Sequence, residues 1–258
     1  MFVAVHGNGM SDRRASGPAL FISGGTEIMG DVVAIIPARG GSKGIPGKNL
    51  KSVCGAPLLA WSIMQAHAAA SVDSVWVTSD SDDILAVARE YGANAVKRPD
   101  SLSGDTATSE SAWQHALEEI ERSGVVVDFV IGMQATSPIR AASDLDQALG
   151  KVRQENLDSL LTVTEVEDYF NWRAGPDGPE SINYDYRSRK RRQLIEKSYL
   201  ENGSFYIFRP SILRNFDNRL GGAIGMHVME RHKMFQIDNP EDILLCEAIM
   251  RGYRLDQL

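Results

Sequence analysis

VVAIIPARGGSKGIPGKN, Val32 to Asn49, is the stretch on which the fold turns. Its first six residues, Val32 to Pro37, form an unbroken apolar run rich in β-branched side chains, as expected of a strand buried on both faces. Gly40, Gly41, Gly44 and Gly47 follow within ten residues, interleaved with Arg39, Lys43 and Lys48. In an open parallel sheet, ligands bind beyond the carboxyl ends of the strands, so a glycine-rich basic loop there is placed to hold phosphates. The glycines let backbone N–H groups come close to an anion while the three cations supply charge.

Outward from this segment, short β-branched runs alternate with helical patterns, which marks βαβ units and a parallel sheet. A helix is predicted over Pro57–Ala70 with proline at its first position, then a strand over Val72–Asp80. Ser81, Asp82 and Asp83 cap and charge the next helix, which stops at Gly92. A short strand at Ala93–Pro99, a helix over Thr108–Arg122, a strand over Val125–Gln134, a helix over Ser143–Glu155 and a strand over Asp158–Val166 continue the series. About residues 167–200 the period is lost in a stretch rich in Tyr, Trp, Arg and Pro, which reads as an insertion. The sheet resumes with Gly203–Pro210 and Ile224–Met229, and a helix capped by Asn239 runs over Pro240–Met250. The whole is an α/β fold, a single doubly wound, mostly parallel sheet over residues 31–258. Residues 1–30 read as a loose, flexible N-terminal extension outside it, an upstream arm ending near Met29.

Two cysteines in 258 residues are too few for a disulfide scaffold, and Cys54 has no second Cys or His at ligand spacing, so no structural zinc site is expected. No apolar run is long enough to span a bilayer, and the first residues lack the basic start and apolar core of a secretory signal, so a cytoplasmic setting without membrane contact is expected. The net charge is −7. Bulk charge of that sign repels nucleic acid, so polyanions must be gripped by local clusters of cations. Arg187–Arg192 (RSRKRR) is the densest such cluster, read most simply as a solvated face or a nucleic-acid patch.

The commoner phosphate motifs do not fit the loop. A Walker A motif needs glycine where Ser42 stands and Ser or Thr where Asn49 stands, and GxGxxG is absent. ARGGSKGIPGKNL instead resembles the signature loop of the acylneuraminate cytidylyltransferases, which make CMP-activated sialic and related nine-carbon acidic sugars from CTP. The resemblance continues, in order, through Lys97–Ser109 (KRPDSLSGDTATS), Met133–Arg140 (MQATSPIR), Arg191–Gln193 (RRQ), Tyr199–Phe208 and Gln236–Asp242 (QIDNPED).

Such a resemblance implies a nucleotide-diphospho-sugar transferase-like fold with a protruding dimerisation insertion, hence a homodimer. It implies that Arg39, Ser42 and Lys43 contact the triphosphate with Gly40 and Gly41, that Lys48 lies near the reacting α-phosphate, and that Asn49, Arg98, Ser109 and Gln134 line the nucleotide site. Arg192 and Gln193 would reach the sugar acid of the neighbouring subunit, with Arg173 a candidate for the same task. Asp238 matches a carboxylate that holds Mg2+ (or Mn2+); family members often carry a second acid where this chain has Gln236. Read from the residues alone, Ser109 is equally well the N-cap of its helix and Gln134 a satisfied polar group at a strand end. Thr136 replaces the metal-binding Asp of relatives that activate the eight-carbon acid Kdo, which favours the nine-carbon side. The implied partners are CTP and an acidic keto-sugar. The rival readings are a cytidylyltransferase for another keto-sugar acid such as Kdo, and a nonenzymatic binder of anions or nucleic acid.

Overall fold

A computed structural model describes residues 30–41, 44–104, 107–167 and 170–257, with Arg192 described by its backbone only. The expected arm falls outside the described residues except for Gly30. The apolar run that opens the fold is strand β1 (Asp31–Pro37). A short hairpin, β2 (Ser52–Val53) and β3 (Ala56–Pro57), follows the loop and leads into helix α1 (Leu58–Ala68). Then come β4 (Ser74–Ser79), α2 (Asp82–Glu90), β5 (Asn94–Lys97), α3 (Ser109–Arg122), β6 (Val127–Met133), α4 (Ala142–Gln154) and β7 (Ser159–Val166). A second hairpin, β8 (Trp172–Gly175) and β9 (Gly178–Ser181), precedes β10 (Ser198–Phe208), α5 (Pro210–Phe216), β11 (Ile224–Met229) and α6 (Pro240–Gly252).

The main sheet has seven strands in the order β11-β7-β10-β6-β1-β4-β5. Only β10 runs against its neighbours, β6 and β7; the remaining pairings are parallel. Alternation along β1 explains why its sequence is apolar throughout. Val32, Ala34 and Ile36 pack toward α1, α2 and α4, whereas Val33 and Ile35 pack toward α3 and α5. Both faces of the sheet are thus covered, as a doubly wound fold requires. A third apolar cluster joins Ile45 and Val53 beside the loop to Leu58, Trp61 and Ile139, and to Ile237, Cys246 and Met250 of the C-terminal segment. Gly132 on β6 is dictated by packing: a Cβ there would lie 2.7 Å from the Trp113 ring, whose indole N–H donates to the Ile35 carbonyl at 3.3 Å.

Several boundaries differ from the sequence reading. Pro57 pairs in the β2–β3 hairpin and stands at the N-cap of α1 rather than inside it. Strand β10 begins at Ser198, ahead of Gly203, because Ser198–Glu201 pair with Val163–Val166 before a register shift. It ends at Phe208, and Pro210 starts α5, where proline suits the first helical position. Thr108, not Ser109, caps α3, its hydroxyl accepting from the Ser111 N–H at 3.1 Å. Between β7 and β10 the described chain forms the β8–β9 hairpin as a separate sheet. No helix among the described residues is long and apolar enough to cross a membrane.

Candidate active site

Four adjacent strands, β6, β1, β4 and β5, run parallel and deliver Gln134, Arg39, Asp80 and Arg98 at or just past their carboxyl ends. With α3 and the segment before α6, they enclose a cavity of about 530 Å³. Arg39, Lys48, Asn49, Arg98, Ser109, Gln134 and Asp238 all line it. Residues more than 180 positions apart in the chain therefore share one cleft, and most of them are held by identifiable contacts.

The loop after β1 is anchored at both ends. Ala38 N–H donates to the Thr78 carbonyl at 3.0 Å, and the buried Asn49 side chain donates to the Arg39 carbonyl at 3.0 Å. Gly47, at φ 64°, turns the chain into a 3-10 turn over Lys48–Leu50. Gly44 packs so closely on the Asp238 carbonyl that a Cβ would overlap it. Asn49 thus acts on the loop's shape as well as on the cavity wall. The Gly40 N–H, expected to face an anion, instead donates to Asp80 Oδ1 at 2.9 Å, because the carboxylate at the end of the neighbouring strand satisfies it first. Neither Gly40 nor Gly41 lines the cavity. Ser42 and Lys43 lie outside the described residues.

Asp80 also lies 3.9 Å from the Arg98 guanidinium, whose Nε donates to Ser103 Oγ at 3.0 Å. Arg98 is only 5% exposed; burial lowers its pKa, Asp80 opposes that shift and nearby Arg39 adds to it. Gln134 is fixed through its backbone: its N–H donates to the Ser204 carbonyl at 3.1 Å and its own carbonyl accepts from Arg140 at 2.6 Å. Arg140, 1% exposed, also donates to Ser62 Oγ and to the carbonyls of Ser137 and Ser204. Opposite, Lys48 Nζ donates to the Ile237 carbonyl at 2.9 Å and to Asp238 Oδ1 at 3.0 Å. Asp242 accepts the N–H groups of Asn239 and Asp238, which holds its carboxyl below the usual range and makes it part of the helix start.

Arg173 and Gln193 are not brought to this cavity. Arg173 pairs with Glu180 across the β8–β9 hairpin at 2.7 Å, a cross-strand partner that its position in register supplies. Gln193 is exposed in a 3-10 turn over Arg192–Leu194. Part of the basic run is absorbed by local packing: Arg187 lies over the Tyr186 ring and Arg189 over Phe170, each at less than 5 Å. His115, His227 and His232 do not line the cavity. Asp80 and Arg140 escaped the sequence reading. Asp80 had a signal, since it directly follows a strand end as Gln134 does; Arg140 had only its place after the SPI turn.

Among the described residues no cluster of three or more His, Cys, Asp or Glu forms a preassembled metal centre. Among the described residues Asp238 is the one carboxylate on the cavity wall. That donor set fits Mg2+, which commonly uses one or two carboxylates and completes its shell with substrate phosphate and water.

The cytidylyltransferase family model matches residues 33–249. N-acylneuraminate cytidylyltransferase of Oncorhynchus mykiss is 36% identical over 181 residues, 69% of this chain and 41% of that protein. The chain spans about two fifths of the length of this and two similar fish relatives. Pseudaminic acid cytidylyltransferase of Campylobacter jejuni (serotype O:23/36) is 32% identical over 227 residues, covering 85% of this chain and 96% of the other. Among solved structures, CMP:2-keto-3-deoxy-manno-octonic acid synthetase complexed with CTP superposes with a TM-score of 0.64 at 18% identity, over 86% of this chain and 99% of that one. At that identity the likeness speaks to the fold.

Proposed function

Because the chain belongs to the cytidylyltransferase family, we propose that it transfers CMP from CTP to the anomeric hydroxyl of a nine-carbon acidic keto-sugar, an N-acylneuraminate or a related legionaminate or pseudaminate, releasing pyrophosphate. The observation that carries the reading is the single cleft in which Arg39, Lys48 and Arg98 face the same space as the Gln134 and Asn49 amides. Cations on this scale suit a triphosphate, and an amide side chain offers both a donor and an acceptor to a base edge. The named activities of relatives that share most of this chain's length, on pseudaminic acid and on N,N'-diacetyllegionaminic acid, support the sugar class.

The chemistry asked of the protein is displacement at the α-phosphorus: the oxygen of the sugar's anomeric hydroxyl forms a P–O bond as the bond to pyrophosphate breaks, and the hydroxyl proton passes to solvent. Arg39, Lys48 and Arg98 would neutralise phosphate oxygens, and Gln134 with Ser109 would orient the nucleoside. Among the described residues the cavity lining contains no histidine, and positioning with charge neutralisation is the chemistry its groups supply. Mg2+ (or Mn2+), held by Asp238, would supply further neutralisation of phosphate charge. The proposal includes a cytoplasmic setting and a homodimer in which Arg192 and Gln193 serve the partner's sugar site.

The test is pyrophosphate release across the four common nucleoside triphosphates, each with a panel of keto-sugar acids that includes Kdo. Release with CTP and a nine-carbon acid is expected. Release only with Kdo would move the substrate to the eight-carbon class, and none with CTP and any acid would overturn the activity. Light scattering of the purified chain reads the dimer directly.

A further inference from the structure

Lys48 has a partner that a phosphate-binding lysine does not need. Its ammonium is 3.0 Å from Asp238 Oδ1 and 2.9 Å from the Ile237 carbonyl, and its side chain is 12% exposed against 67% for Asp238. The lysine therefore approaches from within the wall and covers one side of the carboxylate that faces the cavity. Among the described residues the cavity wall offers no second carboxylate, since Asp242 is turned to the backbone N–H groups of Asn239 and Asp238. Gln236, two residues earlier, is neutral, and its amide is spent on the Asn202 carbonyl at 2.6 Å, close against Gly203 in the left-handed region. The Asp238 backbone is itself immobilised: Ile237 N–H donates to Thr136 O at 2.8 Å, Asp238 N–H donates to Asp242 at 2.8 Å, and Gly44 packs on the Asp238 carbonyl.

A divalent ion arriving alone would have to displace a tethered cation from Asp238, the one carboxylate that the described residues place on the wall, against like-charge repulsion at a few ångströms. Triphosphate oxygens change that balance, because they offer the ammonium an alternative partner and the ion additional ligands. Resting on the reading of this cavity as a CTP site, we propose that Lys48 is a latch: it occupies Asp238 in the nucleotide-free protein and releases it when the triphosphate arrives. The divalent ion then enters with CTP rather than before it. Lys48 serves both states, first as the counter-charge of Asp238 and then as that of the phosphates.

The experiment is Mn2+ binding to the purified full chain without nucleotide, read by the electron paramagnetic resonance signal of free Mn2+, alongside calorimetric binding of CTP with and without metal. Lys48→Met, and Lys48→Gln, which keeps a donor for the Ile237 carbonyl, are each expected to bind Mn2+ on the order of tenfold more tightly than the parent. In metal-free buffer, Asp238→Asn frees the ammonium and is expected to bind CTP several-fold more tightly. If the parent binds Mn2+ alone as tightly as both Lys48 variants, or if Asp238→Asn gains no affinity for metal-free CTP, the latch is wrong. If the parent binds CTP in neither condition, the nucleotide reading fails instead, while the nucleotide-free Mn2+ comparison still judges the latch.

Discussion

Arg140 tests how far the geometry of the nucleotide wall depends on a side chain that never meets the cavity. Its guanidinium makes five contacts: Nε to the Ser137 carbonyl at 3.1 Å, Nη1 to Ser204 O at 3.0 Å, and Nη2 to Ser62 Oγ, Gln134 O and Ser137 O at 3.0, 2.6 and 2.6 Å. Burial pushes the guanidinium down to about 9, with Asp144 opposing the shift, so it remains charged at neutral pH. In Arg140→Met the Ser204 carbonyl keeps the Gln134 N–H and the Gln134 carbonyl keeps the Ser137 N–H, but the Ser137 carbonyl retains no partner among the described residues. Leaving one buried carbonyl unsatisfied costs roughly 1–3 kcal/mol, and each lost hydrogen bond to a charged group about 1.5–3 kcal/mol. Relief from burying a cation and the apolar fill of methionine offset part of that sum. A net loss of about 3 kcal/mol is expected, which for a chain of this size lowers Tm by roughly 6–12 °C. Freed from Arg140, the Gln134 backbone should also shift, raising KM for CTP about tenfold, the equivalent of about 1.4 kcal/mol, with a smaller change in kcat. Arg140→Lys should recover part of both. Thermal melting and steady-state kinetics read the two effects separately. A methionine variant melting within about 2 °C of the parent, with KM unchanged, would refute the assignment of Arg140 as the clamp of Gln134.

Gly44→Ala places a methyl group against the Asp238 carbonyl, so the loop or the Asp238 segment must move; KM for CTP should rise at least tenfold, on the order of 1.4 kcal/mol, with little change in urea midpoint. Asp80→Asn removes the negative charge beside Arg98 and weakens the acceptor for Gly40 N–H, and calorimetry should show CTP binding weakened by about 10- to 100-fold, the scale of one charged hydrogen bond. Burial lowers the His227 pKa, with Asp144 and Glu230 opposing and Lys233 and Lys151 reinforcing the shift. The unfolded chain therefore binds the proton more readily, and the stabilisation is present above about pH 6.5 and lost as pH falls through the folded value. His227→Gln should flatten the acid side of a Tm–pH curve; an unchanged curve would remove His227 from the account. Arg173→Ala breaks only an exposed pair worth at most about 1 kcal/mol, so KM for the sugar acid should stay level. A tenfold rise, equivalent to about 1.4 kcal/mol, would instead return Arg173 to the substrate.

What was legible in the sequence divides along the range of the interaction that decides it. Strand β1, its two buried faces and the turn into the loop follow from neighbouring residues, and Ser81 capping α2 is equally local. The fate of each polar group in the loop is not, because its competitor lies far along the chain. Gly40 N–H meets Asp80, 40 residues on, and Lys48 meets Asp238, 190 residues on. Periodicity carries no information about either meeting. The same limit hid Arg140, whose partners lie on α1, just past the end of β6 and within β10. The net charge of −7 suggested cations gathered against an acidic background. In the cleft itself, the Arg98 and Lys48 charges each face a carboxylate, Asp80 and Asp238. Those carboxylates hold a cationic cleft in shape without a ligand, where Arg39 and Arg98 would otherwise repel one another. A triphosphate must then compete with Asp238 for Lys48, whereas Asp80 keeps the Gly40 N–H and with it the shape of the loop, so that one carboxylate yields to the ligand while the other preserves its cradle.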